Sequence, residues 1–135
     1  MRFRRNKESG QGMVEFALVI PLLLILILGV FDFGRAFYSY LTFEHAGREA
    51  ARYASIGADG GDINKIKQKA IDASNGLVST LDKVDVSYSE DPVTKYKYVT
   101  VKFVDVSMDF YTPVLIAFNP FSFPNQSTTM RVEGT

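Results

Sequence analysis

A glycine and a carboxylate five positions apart frame the chemistry available to this chain of 135 residues. Glu15 stands at the edge of a run, Phe16 to Phe31, that holds no charged residue and consists almost wholly of Ala, Leu, Val, Ile and Phe. A carboxylate inside a membrane helix costs on the order of 2.5–3.5 kcal/mol near the bilayer centre and less at an interface, and it is usually kept because it has a partner. Two partners present themselves. The basic residues in front of the run can meet Glu15 among the headgroups by snorkelling, in which case the carboxylate simply reaches water. Alternatively, hydrolysis of the peptide bond after Gly10 would remove those residues and create an α-amine at Gln11. Glu15 would then be the fifth residue of the shortened chain.

Other chemistry finds little footing. His45 is the single histidine and the chain has no cysteine, so no second imidazole or thiolate exists to complete a zinc site. The stretch "GADGGD", Gly57 to Asp62, has glycines and acids but neither the preceding strand nor the following Lys-Ser/Thr of a phosphate loop, and it reads as a linker. "SED", Ser89 to Asp91, lacks the alternating oxygen ligands of a calcium loop and reads as a turn. No enzyme activity, cofactor or metal is expected, and neither nucleic acid nor a small-molecule substrate is expected as a partner.

The elements that position Glu15 follow from charge and periodicity. Formal charge is balanced, 15 basic against 15 acidic, but Arg2, Arg4, Arg5 and Lys7 crowd the front against Glu8 alone. Sixteen uncharged residues in helix span ~24 Å, and Met13 and Val14 bring this near the ~30 Å of a hydrocarbon core. Positive charge before the run, and Phe31, Phe33, Phe37, Tyr38 and Tyr40 behind it, fit the positive-inside rule and an interfacial aromatic belt. We therefore expect a membrane-spanning segment at about 13–31, with the N-terminus in the cytoplasm and the remainder outside. No small-residue signal-cleavage pattern follows the run. Pro21 cannot donate to the carbonyl of Ala17, so the helix could open there on assembly, or Pro21 could be a tolerated membrane-helix proline.

Helical signal continues to about residue 56, with an apolar face at Phe37, Tyr40, Leu41, Phe43, Ala46, Ala50, Ala51 and Ala54. Asp62 is placed to cap a second helix carrying Ile63, Ile66, Ala70, Ala73 and Leu77 on one face, and "SNG" at 74–76 to stop it. Beyond it the pattern turns to strands. Val84, Val86 and Tyr88 alternate with polar residues, as do Val99, Val101 and Phe103 after the turn "EDPVTK", and "STTMRVEG" is placed to return as a third, edge strand. The segment "FYTPVLIAFNPFSFPNQ", with three prolines, is expected to be an irregular apolar loop that packs under the sheet or meets a partner. The expected fold is α+β. The divisions are 1–10, a basic leader; 11–56, a long helix; and 57–135, a small head with an antiparallel sheet.

A short basic leader, Gly10, "QGMV" and then Glu15-Phe16 opening an apolar helix resembles the pattern of type IV pilin-like precursors. A cut at Gly12 would leave Glu15 third in the mature chain, against that spacing. "GQGMVEFALVIPLLLILILGVFDFGRAF", the following "AGREAARYA" and the closing "STTMRVE" look more narrowly like TadE-like minor pseudopilins of tight-adherence pilus systems. The resemblance implies processing by a membrane prepilin peptidase between Gly10 and Gln11, and partnership with other pilins or pseudopilins and the pilus assembly machinery. It also implies a place in the cytoplasmic membrane before incorporation into a pilus, with Glu15, Phe16 and Pro21 serving subunit pairing. The alternative is an uncleaved single-pass protein whose head binds or senses something outside the membrane.

Overall fold

One uninterrupted helix dominates the computed structural model, which describes residues 7–57 and 62–133. This helix, α1 (Lys7–Ser55), has 49 residues and is about 73 Å long at 1.5 Å per residue. Its Leu, Ala, Arg and Glu residues favour helix, and Pro21 is carried inside it without a break. It ends where Gly57 takes a positive φ of 69° and returns its N–H to the carbonyl of Ala54. The N–H of Glu133 also bonds to the carbonyl of Ser55, so the far end of the chain helps to cap the helix. The leader residues 1–6 and most of "GADGGD" (58–61) lie outside the described residues, as does Gly134 of the last motif.

The second helix, α2 (Ile63–Ala73), begins as its sequence predicts. The Asp62 side chain accepts from the N–H of Asn64 at 2.9 Å. Ile66 and Ala70 are wholly buried, while Lys69 reaches across to Glu49 on α1 at 2.7 Å. Its stop is also chemical. The Ser74 hydroxyl donates to the carbonyl of Ile71, and Asn75 and Gly76 follow at φ 52° and 81°.

Three antiparallel strands form the sheet: β1 (Val84–Glu90), β2 (Lys97–Phe103) and, after two short strands named below, β5 (Gln126–Arg131). The order is β1-β2-β5, with Val86 opposite Val101 and Val101 opposite Thr128. The anticipated third strand therefore lies on the outer side of β2. Val99, Val101 and Phe103 face the helices and are buried, and Thr100 on the other face pairs its hydroxyl with that of Thr129. On β1 the inward alternation stops after Val86, because Tyr88 lies close to half exposed. At the far end, Asp91 accepts from the N–H groups of Val93 and Thr94 and opens the turn, whereas Ser89 and Glu90 of "SED", expected in that turn, pair with Tyr98 and Lys97 as the end of β1. The backbone donors, Thr94 first, hold the Asp91 carboxyl below the usual carboxylate range. The turn's contribution to stability is thus present above the unfolded pKa and is lost as pH falls through the lowered folded one.

The core lies between the sheet, α2 and the last four turns of α1. Ala46, Ala50, Ala51 and Ala54 are all but fully buried, and a methyl at Gly47 would stand 2.9 Å from the Thr128 hydroxyl. Within "AGREAARYA", Ala46, Gly47, Ala50, Ala51 and Ala54 thus form a stripe of small side chains, and at Gly47 it lets β5 approach the helix axis closely. One expectation is corrected here. Phe37, Tyr40 and Leu41 are exposed, whereas Ser39 and Thr42 are buried with Phe43. The buried stripe is set by what the sheet covers rather than by side-chain hydropathy. The division at residue 57 is accordingly one of chain order, since α1 supplies a wall of the head's core.

Truncating Val101 to Ala is expected to destabilise the head by ~1–3 kcal/mol, because it opens a cavity at a wholly buried site. Thr100→Ala should cost only a few tenths, the scale of an exposed cross-strand pair. Urea unfolding of the full chain in detergent, followed by circular dichroism, separates the two. Equal midpoints for both variants would contradict the assignment of the inward face.

Candidate functional site

The sequence places its site at the front of α1, and there the structure shows a bare helical arm. Gly10, Gln11, Glu15 and Phe16 are exposed, and a methyl at Gly10 or Gly12 would meet nothing within 4 Å. Glycine in a helix interior costs about 1 kcal/mol relative to alanine, and at Gly10 no packing among the described residues requires it. Side chains on a helix lean toward its N-terminus, so position 15 reaches back over position 11. The Gln11 side-chain amide accordingly donates to Glu15 Oε1 at 3.3 Å. Arg2, Arg4 and Arg5, the snorkelling partners considered for Glu15, lie outside the described residues.

From Met13 to Phe31 nearly every large apolar side chain is exposed, and the aromatic residues Phe31, Phe33, Phe37, Tyr38 and Tyr40 extend this surface toward the head. A helix apolar all round with nothing packed on it is a membrane span or the core of an assembly. Mean hydropathy of the best window reaches 2.8, and α1 is the one described helix long and apolar enough to cross a bilayer.

The second cluster, where the head meets α1 just beyond the apolar run, was not legible in the sequence. Asp32 is only 2% exposed. One of its carboxylate oxygens accepts from the N–H of Tyr111 at 2.9 Å, the N–H of Thr112 at 2.7 Å and the Thr112 hydroxyl at 2.7 Å. The other faces the Arg35 guanidinium at 3.4 Å. Arg35 lies over the Tyr111 ring, 4.6 Å from its centroid, and is within 3.5 Å of the carbonyl of Asp109. A buried carboxylate with four donors is satisfied, so this is a clamp between α1 and the segment after the sheet. In the sequence Asp32 and Arg35 look like an ordinary pair one turn apart on a solvated helix. A faint signal existed on the other side, since residues 110–130 contain no charge and so demanded a surface to meet.

That segment is less irregular than its prolines suggest. Ser107–Met108 (β3) pairs with Phe121–Ser122 (β4), and a 3₁₀ turn occupies Ile116–Phe118. It does not pack under the sheet as a whole. Rings at Phe103, Phe43, Phe123, Phe121 and Phe110 contact one another in series, each 5.3–5.4 Å apart, from the core toward the clamp. His45 is exposed, with Nδ1 3.4 Å from Arg48, which pairs with Glu44. Among the described residues no three His, Cys, Asp or Glu side chains group to hold a metal.

A long apolar helix, a short second helix and a small antiparallel sheet define an α+β protein consistent with a single-pass membrane protein. Residues 10–52 match the model of the family described as TadE-like protein, which is consistent with a TadE-like protein of Tad pilus systems. The family is a structural, pilus-related one, not known as enzymatic. The matched span holds the arm, the apolar run, Asp32, Arg35 and most of the small-residue stripe, and stops before α2. No curated protein and no solved structure matches the chain.

Proposed function

We propose that this protein is a minor pseudopilin of a Tad-type type IV pilus, cut by a prepilin peptidase between Gly10 and Gln11. It waits in the cytoplasmic membrane with its head outside and then packs α1 among those of other pilins or pseudopilins. The observation that carries this reading is the placement of Glu15 over Gln11 on one face of an otherwise bare helix. Cutting after Gly10 would turn the backbone nitrogen of Gln11 into an ammonium one helical turn from a carboxylate that already meets the Gln11 side chain. An acid at the fifth position, just past the first turn of the new helix, also lies near the positive end of the helix dipole. In an environment poorer in water than the interface, that pairing strengthens, within one subunit or between neighbours.

The N-terminal residue of the protein isolated from its native membrane tests the proposal. Mass spectrometry should find Gln11 first. Gly10→Ala should be partly processed, because it adds one methyl, whereas Gly10→Leu should accumulate with its leader intact. The exposure of Gly10 means that neither change disturbs the fold. Leader retained on most wild-type molecules would instead identify an uncleaved single-pass protein with a binding or sensing head.

A further inference from the structure

We propose that the loop Tyr111–Phe118 is a second membrane contact, which lays the head against the same bilayer that α1 crosses. Its ends are fixed. The Asn119 side chain accepts from the N–H of Phe110 at 2.7 Å and donates to the Phe110 carbonyl at 3.0 Å, closing the loop at its base. Asp32 holds Tyr111 and Thr112 to α1, and the N–H groups of Leu115 and Ile116 both turn back to the carbonyl of Thr112. A compact loop pinned at both ends normally buries its own apolar side chains. This one presents them, with Tyr111, Val114, Ile116 and Phe118 between 55% and 69% exposed.

Its occupant follows from where it is pinned. Asp32 is the first charged residue after Phe31, so the clamp stands at the level where the charge-free run of α1 ends. Gly29 and Ile25, one and two turns deeper on the face of α1 that carries Asp32, are half-buried in contrast to their exposed neighbours. With 13–31 in the hydrocarbon, the loop has no aqueous height available to it. It lies at the headgroup boundary, continuous with the lipid-facing surface of α1. The chemistry around it suits that depth, because Tyr111 and Arg35 are stacked on one another, and tyrosine and arginine partition to the interface by their amphipathic character. The loop carries no charge from Phe110 to Met130, so nothing opposes its entry. Held at two points, α1 and the loop, the head would keep one fixed orientation to the membrane plane.

The chain has no tryptophan, so a single introduced indole reports its own surroundings. Phe118→Trp and Ile116→Trp would be placed separately in the full chain, one copy per nanodisc of phosphatidylcholine and phosphatidylglycerol. The test is quenching by lipid brominated in its acyl chains. Phe33→Trp on α1 is the reference for lipid contact, and Val93→Trp, in the β1–β2 turn and 87% exposed, is the reference for water. Blue-shifted, quenched emission at 116 and 118, like that at 33, is expected. Adding Asp32→Ala should release the loop and lose much of that quenching while the signal at 33 is unchanged. Emission at 116 and 118 that matches 93, or that shifts only when several copies share a disc, would overturn the proposal, the latter by showing that another subunit covers the loop. Quenching indifferent to Asp32→Ala would overturn the role of the clamp.

Discussion

Glu15→Gln protein is expected to reach the membrane at wild-type levels and to be recovered with its pilus partners at least tenfold less. The two halves come from one change. Neutralising a carboxylate at the edge of an apolar run removes an insertion cost. It also removes the charge that would answer the amine at Gln11. Breaking a pair sequestered from water costs about 3–5 kcal/mol, and tenfold in an equilibrium needs only ~1.4. The amide of Gln can still hydrogen-bond, as Gln11 and Glu15 already do through Nε2 and Oε1, so some association should survive. Glu15→Asp keeps the charge and shortens the arm by one methylene, which makes it a test of reach. Co-purification at matched membrane levels gives the answer. Undiminished recovery of Glu15→Gln would mean that the carboxylate only meets headgroup water.

The second large effect is expected at Asp32. Its replacement by Ala leaves the amides of Tyr111 and Thr112 and the Thr112 hydroxyl without their acceptor at a site that water barely reaches. Each orphaned donor costs ~1–3 kcal/mol unless the segment opens to hydrate it. Opening forfeits the stacking of Arg35 on Tyr111 and uncovers the Phe110 end of the ring series. The local stability of the clamp should fall by about 3–5 kcal/mol. Hydrogen exchange at the amides of Tyr111 and Thr112 should then quicken by on the order of a hundredfold or more. Amides of Val99 and Val101, deep in the sheet, should keep most of their protection. Asp32→Asn retains one acceptor oxygen and should fall between. Exchange at 111 and 112 that ignores Asp32→Ala would show the clamp to be energetically empty.

The family match and the head architecture are legible to different depths. The match over residues 10–52 concerns the segment whose pattern is local: a glycine, a carboxylate, an apolar run and a stripe of small residues. The head beyond it rests on alternation and turn chemistry alone, and these proved sufficient for α2, β1 and β2. Asp62, Asn75 and Gly76 act through backbone groups within a few positions of themselves, and Val99, Val101 and Phe103 need only one covered face.

Sequence by itself determined the elements, because a helix or a strand is a repeat whose bonds close within four residues or across one turn. It determined the arm as well, since Gly10, Gln11 and Glu15 are near neighbours on a single helix and, among the described residues, no other element touches them. Tertiary structure decided which stripe of α1 is buried, exposing Phe37 and Tyr40 and covering Ser39 and Thr42. It also seated the last strand against β2 and the whole head against α1. Above all it decided the clamp, in which Asp32 meets a hydroxyl 80 residues away. No periodicity links such positions. A carboxylate on a helix is read as solvated until some other segment brings donors to it, and only the path of the chain from β2 through the ring series fixes that those donors belong to Tyr111 and Thr112.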